Sequence, residues 1–307
     1  MNVTPPANTA CHIVGAGAIG GLFASRLSAA GFQVTLIERN AHVGQRTLRL
    51  ITDGQEELLT VATEPVNALR PIDLLWVCTK SHAVMTALAA IEHRLSPDAL
   101  VVTLSNGMGF HEMLAEKLME RVIAGSTTAG VARVDEDTHL VAGQGETRLG
   151  WWHGAGSAPR WYPALAAANW HCQWEPDIHR CLLEKLALNG VINPATALLD
   201  IKNGALLQPE HSNLLARATD ELCAQLLWAG HPEIAADLPT RLQQVLQDTA
   251  TNSSSMRTDR QLGNVTEHEA ILGYLLDRFG PEQRDTRPPA PLLESWLSAL
   301  RRAAPIH

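Results

Sequence analysis

The sequence predicts an α/β chain, with a parallel-sheet domain first and an all-helical domain after it, and three observations lead there. The first is Cys11-His-Ile-Val-Gly15-Ala16-Gly17-Ala18-Ile19-Gly20-Gly21, an apolar run that breaks into glycines and resumes as Leu22, Phe23, Ala24, Arg26 and Leu27. It reads as strand, tight turn and helix. The second is the alternation that follows, with strands expected over 32–37, 74–78, 100–104 and 122–128 and helices over 83–93 and 111–120. That βαβ rhythm belongs to a parallel sheet. The third is the change near Glu175-Pro176, after which apolar residues recur at spacings of three and four over 178–192, 197–207, 212–230, 240–248 and 265–279.

Each element has its own justification. Gly15, Gly17 and Gly20 stand at the G-x-G-x-x-G spacing, which allows a sharp turn, close approach of backbone to a pyrophosphate, and tight helix–strand packing. The free amides and the dipole at the start of the following helix favour an anion, so a dinucleotide is the natural ligand of this Rossmann-type turn. Glu38 ends the next strand roughly twenty residues on, where a ribose hydroxyl is usually held. Segments 138–142 and 146–152 read as a hairpin around Gly143-Gln-Gly145, an antiparallel edge on the sheet. The first domain is therefore expected over 1–176, with 1–10 a loose tail, and the helical domain over 177–307. Trp151, Trp152, Trp161, Trp170 and Trp174 crowd the end of the first domain and read as packing at a junction, since nothing basic interleaves them.

Composition narrows the function. At 307 residues the chain exceeds the usual single-core size. A net charge of -8 argues against nucleic acid or an anionic membrane as partner. The five cysteines, Cys11, Cys78, Cys172, Cys181 and Cys223, form no C-x-x-C pair and sit mostly in apolar runs, which points to a reduced, cytoplasmic chain. No metal site is expected, because neither His268-Glu269 nor His171-Cys172 has further ligands at helical spacing. A small-molecule substrate is the expected partner, and oligomeric state is not legible.

Four places carry polar groups that a bland fold does not ask for. Thr79-Lys80-Ser81 and Ser105-Asn106-Gly107-Met108-Gly109 each follow a strand C-terminus, the edge where open α/β sheets bind ligands. Lys185, Asn189 and Asn193 are four apart each time and form one polar stripe on an otherwise apolar helix, with Pro194 expected to bend it. Asn203-Gly204 repeats the Asn-Gly signature, and the run Asn252-Ser-Ser-Ser255-Met256-Arg-Thr-Asp259 leads to Glu267. Serines before a helix are first read as caps, which explains one or two of the three.

In this order and spacing, the glycine turn, Lys80, Asn106-Gly-Met-Gly109, Lys185-x-x-x-Asn189-x-x-x-Asn193-Pro194, Asn203-Gly204 and Ser255-Met256-x-x-Asp259 with Glu267 resemble the ketopantoate reductase (2-dehydropantoate 2-reductase) family. The resemblance runs from about Ile13 to Tyr274. It implies a Rossmann domain and a helical domain with the active site in the cleft between them, and NADPH-dependent reduction of ketopantoate to pantoate in pantothenate and coenzyme A biosynthesis. It implies Lys185 as catalytic acid with Glu267 as its partner, and Asn106, Asn189, Asn193, Asn203 and Ser255 as substrate-binding groups. Gly15, Ala16, Gly17, Ala18, Ile19, Gly20, Arg39, Lys80, Asn106, Ala129 and Glu267 would stand on the cofactor side.

The chemistry agrees with that assignment. A keto carbon that accepts hydride leaves an alkoxide, and an ammonium on a rigid helix can both attract that oxygen and protonate it. Glu38 before Arg39 departs from the family pattern: the acid would hold a ribose diol and repel a 2′-phosphate, the arginine would attract it, so NADPH is expected with NADH still open. Two alternatives remain at this point, a reductase of the same fold acting on another small 2-keto or hydroxy acid, and a non-catalytic dinucleotide-sensing protein.

Overall fold

The computed structural model describes residues 9–39, 43–154, 156–168, 170–280 and 286–303. Most of the tail expected over 1–10 lies outside them. Packing divides the chain into two compact units, Met1–Ser105 with Phe110–Cys181, and Asn106–Gly109 with Leu182–His307.

The first unit is built on one sheet. Its parallel centre consists of β1 (Ala10–Val14), β2 (Gln33–Glu38), β4 (Gln55–Pro65), β5 (Ile72–Val77), β6 (Leu95–Thr103) and β7 (Val122–Thr127). These pair in the order β7-β6-β5-β1-β2-β4, and every step is parallel. Cys11, Ile13, Leu36, Leu75, Trp76, Val101 and Val102 are fully buried, as strands covered on both faces require. The helices α1 (Ala18–Ala29), α2 (Val84–Ile91) and α3 (Phe110–Leu118) supply crossovers. Parallel α/β architecture with a helical C-terminal region is thus observed.

Two features depart from the sequence expectations. β3 (Gly44–Thr52) forms a hairpin with β4 through Asp53-Gly54, whose φ values of 50° and 76° suit a two-residue turn. This Asp-Gly signal went unread in the sequence. The second departure concerns 138–152. β8 (Gly130–Arg133) pairs antiparallel with β9 (Thr138–Gly143), and β7 pairs antiparallel with β10 (Thr147–Trp151), so β9 and β10 are successive halves of one bent strand. Its partner is the β7–β8 segment, and the turn lies at 134–137, where Asp135 Oδ1 accepts from the amides of Asp137 and Thr138 at 2.9 and 2.8 Å. Gly143-Gln-Gly145 marks the break: Gly145 has φ +56°, and a Cβ there would lie 2.3 Å from the Ala129 amide. Gly145 allows close backbone approach where the strand passes from one sheet edge to the other. β9 then lies parallel to β3, and β10 parallel to β11 (Cys172–Trp174).

The tryptophans pack inside this unit. Trp161 and Trp170 join Trp76 and Phe23, with Phe23–Trp170 centroids 5.0 Å apart and edge to face, and α4 (Tyr162–Ala167) lies among them.

The second unit takes up α5 (Ile178–Leu199) from Leu182 on; the helix continues without interruption through Pro194, and Leu183, Leu186, Ala187, Val191 and Ile192 are buried. A Cβ on Gly190 would meet Leu275 at 2.6 Å and Leu222 at 3.6 Å, so neighbouring helices press on α5 at this glycine. The helix expected over 197–207 divides instead: α5 ends at Leu199, Asp200 turns with φ 53°, and Asn203–Leu207 is a 3₁₀ turn. α6 (Ser212–Trp228), α7 (Pro232–Asp248), α8 (Ser255–Gln261), a π-helix (Glu269–Arg278) and α9 (Pro291–Arg302) complete the unit. No helix among the described residues is long and apolar enough to cross a membrane.

Candidate active site

The glycine turn joins β1 to α1. Gly15 has φ +95°, and a Cβ there would lie 2.6 Å from the Thr79 amide; one on Gly20 would lie 2.1 Å from the Gly15 carbonyl oxygen. These two glycines are demanded by the protein itself. Gly17 is different: its φ is -83°, and an added Cβ meets nothing within 4 Å. The protein therefore gives no steric reason for glycine there, whereas a pyrophosphate lying on the turn would. The helix-start amides of Ala18, Ile19 and Gly20 have no intrahelical acceptor and can receive its oxygens. The residues present thus fit a dinucleotide.

The other residues of the first unit assigned to the cofactor side are placed one by one. Ala16, Ile19 and Ala129 pack against the core of the unit, and the Ala129 amide donates to Thr127 Oγ1 at 3.2 Å. Lys80 is half-buried and precedes a 3₁₀ turn, Ser81–Ala83. Arg39 is exposed just after β2. Glu38 is ion-paired with Arg46 of β3, a residue the sequence reading passed over. Burial works against the charge of Arg46, but hydrogen bonds to Asp137 and Glu38 outweigh it and hold the guanidinium pKa above its ordinary value.

In the second unit three of the predicted residues meet. Lys185 Nζ donates to Asn106 Oδ1 at 3.0 Å, and Asn106 Nδ2 donates to Glu267 Oε2 at 3.2 Å. The amide orientation is chemically consistent, because an ammonium has only donors and a carboxylate only acceptors, and each faces the complementary end of Asn106. Asn106 is fixed by its loop. Gly107 and Gly109 have φ values of +88° and +97°, and the Met108 amide donates to the Ala270 carbonyl at 2.8 Å. A Cβ on Gly107 would lie 2.5 Å from that carbonyl oxygen, so the loop can sit on the start of the π-helix only with glycine there. Glu267 is 4% exposed two residues before the π-helix, and π-helical turns recur at functional sites. Thr266 and His268 flank it, buried, with Thr266 Oγ1 2.7 Å from His268 Nδ1.

The remaining predicted residues are placed separately. Asn189 is half-buried and Asn193 buried on α5, one and two turns beyond Lys185. Asn203 is buried; its Nδ2 donates to Thr249 Oγ1 at 3.0 Å while its Oδ1 has no hydrogen bond among the described residues. Of the serines, Ser254 caps α8 by accepting from the Arg257 amide at 3.1 Å and lies 2.7 Å from Thr196 Oγ1, whereas Ser255 is exposed. Among the described residues no group of His, Cys, Asp and Glu could hold a metal ion.

A Rossmann-type glycine turn and a lysine–asparagine–glutamate chain suit hydride and proton transfer at a carbonyl, and the comparisons with known proteins show the class, an oxidoreductase that acts on a CH–OH group. The chain belongs to the ketopantoate reductase PanE/ApbA family: the family's model matches residues 11–154 and its C-terminal model residues 177–302. The 2-dehydropantoate 2-reductase of Halobacterium salinarum is 33% identical over 304 residues, covering 95% of this chain and 97% of the relative. That of Vibrio cholerae is 32% identical over 270 residues, 86% of this chain and 88% of the relative. Among solved structures, a PanE/ApbA family ketopantoate reductase from Ralstonia eutropha superposes with a TM-score of 0.82 at 24% identity, covering 96% of this chain and 98% of the other. A D-mandelate dehydrogenase solved with NADH and anilino(oxo)acetate shares the fold, with a TM-score of 0.81 at 21% identity over 96% of this chain and 98% of that one.

Proposed function

We propose that this chain reduces the ketone of 2-dehydropantoate to pantoate with NADPH, in the cytoplasm, as a step of pantothenate and coenzyme A biosynthesis. The observation that carries the proposal is the Lys185–Asn106–Glu267 hydrogen-bond chain, in a sequence about a third identical to 2-dehydropantoate 2-reductases. Gly15 to Gly20 hold the pyrophosphate, and Arg39, Lys80 and Ala129 complete the dinucleotide side. Bound there, a reduced nicotinamide supplies hydride. Lys185 attracts the ketone oxygen and gives it a proton as negative charge develops. Asn106 holds the ammonium and the Glu267 carboxylate in fixed relation, so that the lysine's charge stays balanced while it waits for substrate. Asn189, Asn193, Asn203 and Ser255 offer amide and hydroxyl groups to the substrate's carboxylate and hydroxyl.

The test is a steady-state assay of 2-dehydropantoate against other 2-keto acids, phenylglyoxylate included, with each reduced cofactor. The reading holds if 2-dehydropantoate has the highest kcat/KM. Replacing Lys185 by Ala should lower kcat by about a hundredfold or more, the scale of a lost general acid, with NADPH affinity close to that of the parent. The parent's reductive rate should fall as pH rises through the lysine's titration, since only the ammonium can donate. Near-normal turnover in K185A would remove this residue from the acid's role.

A further inference from the structure

We propose that Arg46 is a specificity-determining residue: by engaging Glu38 it prevents that acid from serving as a ribose-diol receptor and makes the end of β2 compatible with a 2′-phosphate. The proposal rests on the dinucleotide reading above and deepens it. Glu38 occupies the position from which an acid ordinarily accepts hydrogen bonds from the adenosine ribose and repels a phosphorylated one. Here its Oε1 is taken by Arg46 Nη1. The guanidinium reaches Glu38 across β4, which separates β3 from β2 in the sheet.

The pair is anchored rather than incidental. Arg46 Nε donates to Asp137 Oδ1 at 2.6 Å, and Nη2 donates to the Glu136 carbonyl on the turn between β8 and β9. The Arg46 side chain is 14% exposed and that of Glu38 24%, so solvent screens this pair less than a surface one. Asp137 and the more distant Glu136 carboxylate are 52% and 79% exposed, and water attenuates their charge. Arg46, shared between Glu38 and the more exposed Asp137, offsets the negative charge of Glu38, and next to it in the chain stands exposed Arg39, whose fork of donors suits a phosphate. The Glu38-Arg39 sequence, ambiguous by itself, is thereby resolved toward NADPH.

The experiment measures dissociation constants for NADPH and NADH by cofactor fluorescence titration, alongside steady-state rates, for the parent, R46Q, E38Q and the double variant. R46Q should lower the NADPH-over-NADH affinity ratio by about tenfold or more, the effect of one uncompensated charge near a phosphate in a partly screened site. E38Q should leave NADH affinity unchanged, because Glu38 is not a ribose ligand in the parent. The double variant should regain most of the NADPH affinity that R46Q loses. An unmoved ratio in folded R46Q overturns the proposal, as does a double variant no better than R46Q. Should R46Q fail to fold, E38Q decides: unchanged NADH affinity supports the proposal, and a tenfold loss overturns it. A parent that binds neither cofactor refutes the dinucleotide reading itself, an outcome distinct from all of these.

Discussion

Gly17 and Gly20 carry the same side chain for different reasons. A methyl group at Gly20 would collide with the Gly15 carbonyl at 2.1 Å, and backbone on both sides leaves little room to yield. Gly20→Ala should therefore destabilise the first unit by roughly 1–3 kcal/mol, the range for overpacking, in chemical denaturation followed by tryptophan fluorescence. Gly17→Ala meets open space at a half-buried helix N-cap in an extended conformation and should cost at most about 1 kcal/mol, less than Gly20→Ala. NADPH should no longer raise its melting temperature. If G17A keeps the full NADPH-induced shift, the pyrophosphate does not lie on this turn. Lys185, Asn106 and Glu267 are likewise meaningful only together, because each supplies the hydrogen-bonding complement that the next one lacks.

One helix of the second unit, α9, is begun by a residue from elsewhere in the chain. α9 has no cap of its own; Glu221 of α6 accepts from the Leu292 amide at 2.9 Å and the Leu293 amide at 3.0 Å, placing a carboxylate on the helix's positive end. Glu221→Ala should cost about 1–2 kcal/mol, the scale of a lost charged cap, read as a fall in the urea midpoint without a change in slope. A midpoint equal to the parent's would mean that water replaces the carboxylate at no cost. Ser254 does similar service for α8 and ties it to α5 through Thr196. This explains the middle member of the serine run, while exposed Ser255 remains available for the proposed substrate role.

For the molecule as a whole, buried histidines are expected to contribute to the loss of stability in acid. His111 is fully buried in a stack with Phe110 and Trp152, 4.0 and 4.5 Å between centroids, and neither ring nitrogen has a hydrogen-bond partner among the described residues. Burial, reinforced by nearby His179, pushes its pKa down to about 3. His12 is pushed down in the same direction, chiefly by burial, with Glu64 opposing. A histidine kept neutral in the fold titrates near 6.5 once unfolded, so the unfolded chain binds the extra proton first. The full contribution is present above about pH 6.5 and is lost as pH falls toward the folded values, by up to ~1.4 kcal/mol per pH unit for each histidine. Denaturation midpoints measured from pH 7 to 4 should fall accordingly, and His111→Phe, which keeps a stacked ring and removes the titration, should flatten that slope. An unchanged slope would assign the acid sensitivity to other groups.

Sequence by itself determined what depends on local pattern. Apolar runs ending in glycine or a polar cluster set the parallel strands, spacings of three and four set the helical half, and the four-residue interval put Lys185, Asn189 and Asn193 on one stripe, as a helix must. The resemblance in these same motifs identified the family, to which the chain belongs. Tertiary structure alone decided what depends on partners. A period-2 pattern reports that a face is buried without reporting against which strand, so residues 138–152 read as their own hairpin, whereas β9 lies beside β3 and β10 beside β7. Asn106 reaches Lys185 79 residues away and Glu267 161 residues away, and Arg46 reaches Glu38 across an intervening strand. Such contacts are fixed by the order of strands in the sheet and the packing of loop on helix, which no short window of sequence contains.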